Sequence, residues 1–299
     1  MRRPGARALL DWPAMNSSSA PDAGSPRAAA GDALPHYDAR RIAEAAGLAP
    51  PCVEVIGSIG STSTELMSRP LGPTPAAPHA LLAIEQTAGR GRRGRGWAAR
   101  PASSMMLSVA IERALAGPAR PYQALPLALG AAIADALAGF GCAVRLKWPN
   151  DLQREQRKVA GLLVEARRSA GVERVVVGLG LNLLPDSRRD AAVDQPVGAL
   201  FDAAEAMPER SALAGTLIAA IAGTCARNAA DGLAPFLSGW RARDALAGRP
   251  VRILEPDGPG WEGLAAGIDD DGALRVRTAG GERRVVAGDV SVRIACGAD

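Results

Sequence analysis

Gly89-Arg90-Gly91-Arg92-Arg93-Gly94-Arg95-Gly96-Trp97 separates two fold classes through the residues that come after it. Gly89, Gly91 and Gly94 have the spacing of a dinucleotide-binding loop, and a doubly wound parallel sheet would be expected if a helix opened directly after them. Instead, the stretch from Trp97 to Ser104 carries Pro101 and two serines and leads into a strand-like run at 105–111. No Gly-Lys-Ser/Thr comes next, so a Walker loop is excluded as well. What remains is four glycines, which let backbone amides approach a ligand, and four guanidiniums suited to phosphate or carboxylate. An anionic ligand is implied, and an Arg/Gly segment for RNA is the alternative for this loop taken alone.

Outward from the loop, short β-rich runs alternate with Ala/Leu-rich stretches from Val53 onward, the pattern of a mixed α/β layer structure. Strands are expected at 53–57, 80–85, 105–111, 143–148, 159–166 and 173–183, and helices at 62–68, 121–138 and 211–230. After Leu246, five short strand candidates separated by Gly, Pro and Asp run from Arg249 to Arg293 and read as a small barrel.

The strand at 143–148 places Val144, Leu146 and Trp148 on one face and Arg145 and Lys147 on the other. Pro149 stops it, Asn150 and Asp151 form a turn, and Lys158 opens the next apolar strand. A hairpin of these two strands would bring Lys147, Lys158 and Asp151 to its mouth, two cations with one candidate Mg²⁺ ligand; a solvated hairpin tip is the plainer alternative. Gly178 and Gly180, inside the apolar run from Val175 to Leu184, mark either close approach by another group such as an adenine, or a bulge. Thr62 and Glu65 fit a helix capping box, in a cluster of hydroxyls that could also face a polar ligand.

Residues 1–50, with six prolines and the serine run at 17–19, read as a largely disordered extension holding one helix within 37–48; Met15 is an alternative start. A catalytic domain at 51–247 and a small domain at 248–299 complete the chain. At 299 residues with 47% hydrophobic content, it can bury a sizeable core. Its charge of +4 is spread too evenly to argue for nucleic acid. Arg2 and Arg3 are followed by no apolar stretch, and the run around 124–134 is too short to span a bilayer. A cytoplasmic protein is expected. Cys52, Cys142, Cys225 and Cys296 are widely spaced and suggest buried thiols rather than a zinc or redox pair. Only His36 and His79 exist, both beside prolines, which argues against a histidine-activated nucleophile. Arginine and lysine with a lone acidic turn suit phosphoryl or nucleotidyl transfer.

Taken in series, Gln86 to Trp97, Lys147-Trp148-Pro149-Asn150-Asp151-Leu152 and Lys158-Val159-Ala160-Gly161-Leu162-Leu163-Val164-Glu165 closely resemble the biotin–protein ligases, in order and in spacing. The resemblance covers roughly residues 53–295. It implies an α+β fold: a catalytic domain like that of class II aminoacyl-tRNA synthetases with a mixed sheet, then a small barrel like Src-homology-3 domains. It also implies two half-reactions. The biotin carboxylate attacks the α-phosphorus of MgATP to give biotinyl-AMP, and a lysine of a biotin carboxyl carrier protein attacks that anhydride.

Carried over by matching motif, Ser61, Thr62, Ser63, Gln86, Gly89, Arg90, Gly91, Arg92, Lys158 and Gly161 would bind biotin. Arg92, Arg95, Trp97, Asn150, Asn182 and Arg293 would bind ATP, with Arg90, Arg92, Lys147 and Lys158 in the chemistry and Asp151 on the Mg²⁺ side. Position 63 departs from the family, which often has Asn there. Some relatives carry an N-terminal winged helix and repress transcription, but residues 1–50 lack the length and periodicity for one, so no DNA binding is expected. The resemblance leaves monomer and homodimer open. A lipoate–protein ligase of the same broad fold is the nearest rival, and the Gly/Arg loop favours biotin.

Overall fold

Apolar runs commit about a third of the described residues to sheet. The computed structural model describes residues 34–115, 124–169, 171–193, 195–255, 259–287 and 291–294; the readings at Met15, at 17–19 and at Cys296 lie outside them. Strands β1 (Val53–Ile59), β2 (His79–Gln86), β3 (Ser104–Ala114), β4 (Arg145–Lys147), β5 (Asp151–Arg154), β6 (Arg157–Ser169) and β7 (Val172–Asn182) form one sheet. Its order is β1-β2-β3-β7-β6-β5-β4, with β1 and β2 parallel and the other neighbours antiparallel.

The helices are α1 (Ala39–Ala46), α2 (Thr62–Ser68), α3 (Leu125–Ala138), α4 (Ser187–Asp190), α5 (Arg210–Asp231) and α6 (Leu237–Ala242). Pro126 sits in the first turn of α3, where its missing N–H has no intrahelical partner to lose. The two faces of the sheet differ. On one, Leu82, Leu107, Val177, Leu179 and Leu181 join Ile42, Leu129, Ile133, Leu217 and Ile221 of α1, α3 and α5 in the main core. On the other, Leu81, Ala110 and Val176 form a smaller cluster with Leu66 of α2, edged by Ile56, Ile59 and Met67. That second face stays open beside α2, and the cleft described below forms there.

Helix α1 falls within the stretch expected at 37–48 and buries Ile42 and Ala43, so the core takes in residues upstream of Val53. The hairpin expected between 143–148 and 159–166 is in fact two hairpins. Residues 151–154 are themselves a strand, β5, between β4 and β6. Its turn uses Glu155 (φ 51°) and Gln156 (φ 62°), left-handed positions without the Gly or Asn that would announce them. The capping reading also moves by one residue: Ser61 is the N-cap and accepts from the Thr64 amide at 3.4 Å, while Glu65 pairs with Arg69.

The C-terminal strands β8 (Pro250–Leu254), β9 (Trp261–Ile268), β10 (Leu274–Thr278), β11 (Gly281–Val285) and β12 (Ser291–Ile294) make an antiparallel sheet ordered β11-β10-β9-β8-β12. Its apolar face shares the main core through Val251, Leu274 and Val292. Trp148, 2% exposed, pins the junction by donating its Nε1–H to the Gly272 carbonyl at 3.0 Å. Cutting this side chain to Ala would cost about 3–5 kcal/mol.

Candidate active site

The loop at 89–97 is a closed hairpin rather than an open strand connection. The Gly91 amide donates to the Arg95 carbonyl at 2.8 Å and the Trp97 amide to the Gly89 carbonyl at 2.9 Å. At its tip Arg93 (φ 59°) and Gly94 (φ 68°) turn the chain. Three side chains hold the hairpin over the sheet. The Arg90 guanidinium donates to Thr64 Oγ1 at 3.0 Å and pairs with Glu165. Arg92 Nη1 donates to Asn150 Oδ1 at 3.1 Å, and Asn150 Nδ2 donates to the Leu162 carbonyl at 2.8 Å. The indole of Trp97 lies against the strand glycines.

That indole explains the glycines of β6 and β7. A Cβ at Gly161 would stand 3.0 Å from Trp97 Cζ3 and 3.1 Å from Lys158 Cε, and one at Gly180 would overlap the indole. At Gly178 the added atom would meet the Ser63 hydroxyl. Of the two readings left open, close approach or a bulge, these positions show close approach, by Trp97 and Ser63.

Beneath the hairpin, a hydroxyl ladder crosses from α2 to the sheet. Gln86 Oε1 accepts from the Thr62 amide at 2.7 Å and from Thr62 Oγ1 at 3.0 Å. Ser108, fully buried in β3, lies 2.7 Å from Thr62 Oγ1 and 2.9 Å from Ser63 Oγ. Ser61, Thr62 and Ser63 are thus fixed at the start of α2, facing the cleft.

Lys158 Nζ lies 2.7 Å from Asp151 Oδ1 and 5.3 Å from the centre of a Trp97 ring, at the other end of the same cleft. Seven cations line this cleft: Arg90, Arg92, Arg95, Lys147, Lys158, Arg189 and Arg293. Asp151 is the one carboxylate among the described lining residues. Burial pushes Lys147 below the usual lysine range, and Arg293, Lys158 and Arg95 add to this against the pull of Asp151. Such an imbalance in a partly dry cleft favours a polyanion.

Of the residues expected at the site, all but Gly89 line this cleft. Gly89 stands behind it, where a Cβ would come 2.7 Å from the Trp97 carbonyl oxygen. Sequence reasoning missed Ser108, Arg189, Gln195 and Val197, which also line it. Ser108 was findable as a lone polar residue in the apolar run 105–111. Arg189 was not, since nothing local tells it from Arg188; in the fold it is 2% exposed and donates to the Leu184 carbonyl at 3.1 Å. No group of three or more metal-binding side chains occurs among the described residues. Nor is any helix there long and apolar enough to cross a membrane.

Comparison with known proteins matches two stretches of the chain to family models. Residues 56–182 match the model of the biotin/lipoate A/B protein ligase family, and residues 247–293 match that of the biotin protein ligase C terminal domain. The biotin–[acetyl-CoA-carboxylase] ligase of Mycobacterium tuberculosis is 35% identical over 244 residues, 80% of this chain and 88% of that one. The bifunctional ligase/repressor BirA of Escherichia coli K12 is 35% identical over 245 residues, 81% of this chain and 74% of that one. The fold is similar to that of the Aquifex aeolicus biotin protein ligase solved with biotin and ATP, with a TM-score of 0.68 and 23% identity, covering 81% of this chain and 99% of that one. With both family models matched in order and such relatives covered over most of their length, the chain belongs to the biotin protein ligases.

Proposed function

We propose that this protein is an ATP-dependent biotin–protein ligase that makes biotinyl-5'-AMP and passes the biotinyl group to a lysine of a biotin carboxyl carrier protein, such as that of an acetyl-CoA carboxylase. The observation that carries the reading is the convergence of the Gly/Arg hairpin, the hydroxyl ladder and Lys158 on one cleft, with seven cations and a single carboxylate among its described lining residues.

Each part has a task in that chemistry. Ser61, Thr62, Ser63 and Gln86 offer fixed donors and acceptors for the ureido head of biotin, with Arg90, Gly91 and Gly161 around it. Lys158 would stand between the biotin carboxylate and the α-phosphate, where negative charge gathers as the carboxylate oxygen bonds to phosphorus and pyrophosphate leaves. Arg92, Arg95 and Arg293 would hold the phosphates, and Trp97 and Asn150 would flank the nucleotide. Asn182 is 3% exposed and its Oδ1 has no hydrogen-bond donor; a nucleotide N–H would remove a cost of about 1–3 kcal/mol. Attack of the carrier amine on the acyl carbon then releases AMP.

Magnesium enters this reading as part of MgATP. One carboxylate, Asp151, fits an ion that keeps its waters and is held mainly by substrate phosphates. We read the main sheet as related to class II aminoacyl-tRNA synthetases and the C-terminal sheet as akin to Src-homology-3 barrels. A cytoplasmic monomer or homodimer without DNA binding completes the proposal.

The test is incubation of the pure protein with biotin, MgATP and a carboxylase carrier domain, followed by streptavidin blotting. The carrier should be labelled only with all three present, and lipoate should not compete. Attachment of lipoate in preference to biotin would move the protein to the lipoate ligases.

A further inference from the structure

The ends of β6 and β7 diverge below the Ala160–Leu181 pair, and a short segment, Pro196 to Phe201, is driven between them. On one side it grips Lys158. The Lys158 amide donates to the Pro196 carbonyl and its carbonyl accepts from the Gly198 amide, each at 3.0 Å. On the other side the Leu200 and Phe201 amides donate to the Asn182 and Leu183 carbonyls at 2.9 and 3.0 Å. Asn182 Nδ2 closes the triangle by donating to the same Lys158 carbonyl at 3.1 Å.

We propose that this wedge is a positioning device for the adenylation step, with Gly198 its critical residue, acting through the main chain of Lys158. The inference rests on the ligase reading above. A lysine side chain is flexible, so its ammonium finds one place only if its backbone is held; here both polar groups of the Lys158 backbone are taken by the wedge or by Asn182. Gly198 permits the approach. A Cβ there would stand 2.9 Å from Arg157 Cβ and 3.4 Å from Val159 Cγ1, the residues on either side of Lys158. Any side chain at 198 therefore pushes the strand that carries the lysine. From outside the cleft, Arg154 braces the wedge, its Nη1 lying 3.4 Å from the Ala199 and Leu200 carbonyls while it pairs with Asp202 at 2.8 Å.

The test is biotin-dependent exchange of pyrophosphate into ATP with the full chain, measured on Gly198→Ala, Arg157→Gly, the double variant and Arg154→Ala. A displacement near 1 Å at a catalytic group costs up to about 100-fold in rate, so Gly198→Ala should lose at least about tenfold in kcat with both KM values within about twofold. Adding Arg157→Gly removes the atom the new methyl meets and should restore most of that loss. Arg154→Ala, which leaves the wedge contacts with Lys158 intact, should give a smaller loss of the same kind and guards against Gly198→Ala failing to fold. An unchanged kcat in both Gly198→Ala and Arg154→Ala overturns the proposal. So does a raised KM for ATP at unchanged kcat, which would make the wedge a nucleotide contact, or a loss that Arg157→Gly does not relieve. Absence of exchange in the wild type would instead overturn the ligase reading on which it rests.

Discussion

The Lys158 ammonium and the Asp151 carboxylate meet at 2.7 Å across the β5–β6 pair, each with less than a fifth of its side chain exposed. This is the point in the cleft where a cation is already oriented before an anion arrives. Lys158→Ala should therefore lower biotin-dependent pyrophosphate exchange by about 100-fold or more, the cost typical of removing one preorganised donor at a developing charge. It would also take from Asp151 its ion-pair partner at 2.7 Å. Exchange at the wild-type rate would remove Lys158 from the chemistry.

Arg92 and Asn150 tie the hairpin to the strand floor, and a hydrogen bond to a charged group is worth about 1.5–3 kcal/mol. Arg92→Gly should release preformed biotinyl-AMP faster, by about tenfold or more on that scale. Single-turnover chase of labelled adenylate measures it. Retention equal to wild type would show that the hairpin does not gate release.

Gly180 is the floor under the Trp97 indole. Gly180→Ala should displace the ring, shift its fluorescence and cost about 1–3 kcal/mol in a denaturant melt, since the packed site has no room for the methyl. An unshifted emission spectrum would mean that the indole does not rest on this strand in solution.

Lys147 provides the pH test. Its affinity for protons is lowered in the fold, chiefly by burial, so the folded state disfavours the charged form. That penalty is present at neutral pH and fades as pH rises through the depressed folded value toward the ordinary lysine range. Lys147→Met should thus melt at or above the wild-type temperature at pH 7, while binding ATP more weakly. Over the same rise in pH, wild-type ATP affinity should fall and that of Lys147→Met should stay flatter. Lower stability of Lys147→Met at pH 7 would contradict the sign argued here.

Glu165 joins β6 to the hairpin through Arg90, which reaches on to Thr64 of α2. Glu165→Ala frees Arg90 from the cover of the hydroxyl ladder and should raise KM for biotin several-fold with little change in kcat. Isothermal titration with biotin alone checks the same point without turnover.

How far the chain could be read without its structure depends on range. The buried face of Val144, Leu146 and Trp148 and the strands expected at 159–166 and 173–183 are local patterns, and they hold. Strand β5 escaped because its turn places Glu155 and Gln156 at positive φ, and four residues carry too little periodicity to announce a strand. The partners of Gly178 and Gly180 were out of reach for another reason. Glycine records that something approaches, but the identity of Ser63 and Trp97 depends on packing across more than eighty residues of chain. The wedge at 196–201 is invisible for the same cause, being defined only by which two strands diverge around it.

If the hairpin and Lys158 act on one acyl-adenylate, that species should be caught on the enzyme. Mass spectrometry of the protein after mixing with biotin and MgATP, with rapid removal of free ligand, reads it without a carrier. One equivalent of biotinyl-AMP should be retained per wild-type chain, formed but released by Arg92→Gly, and not formed by Lys158→Ala. Equal amounts of adenylate on wild type and Lys158→Ala, or none on wild type, would refute the assignment.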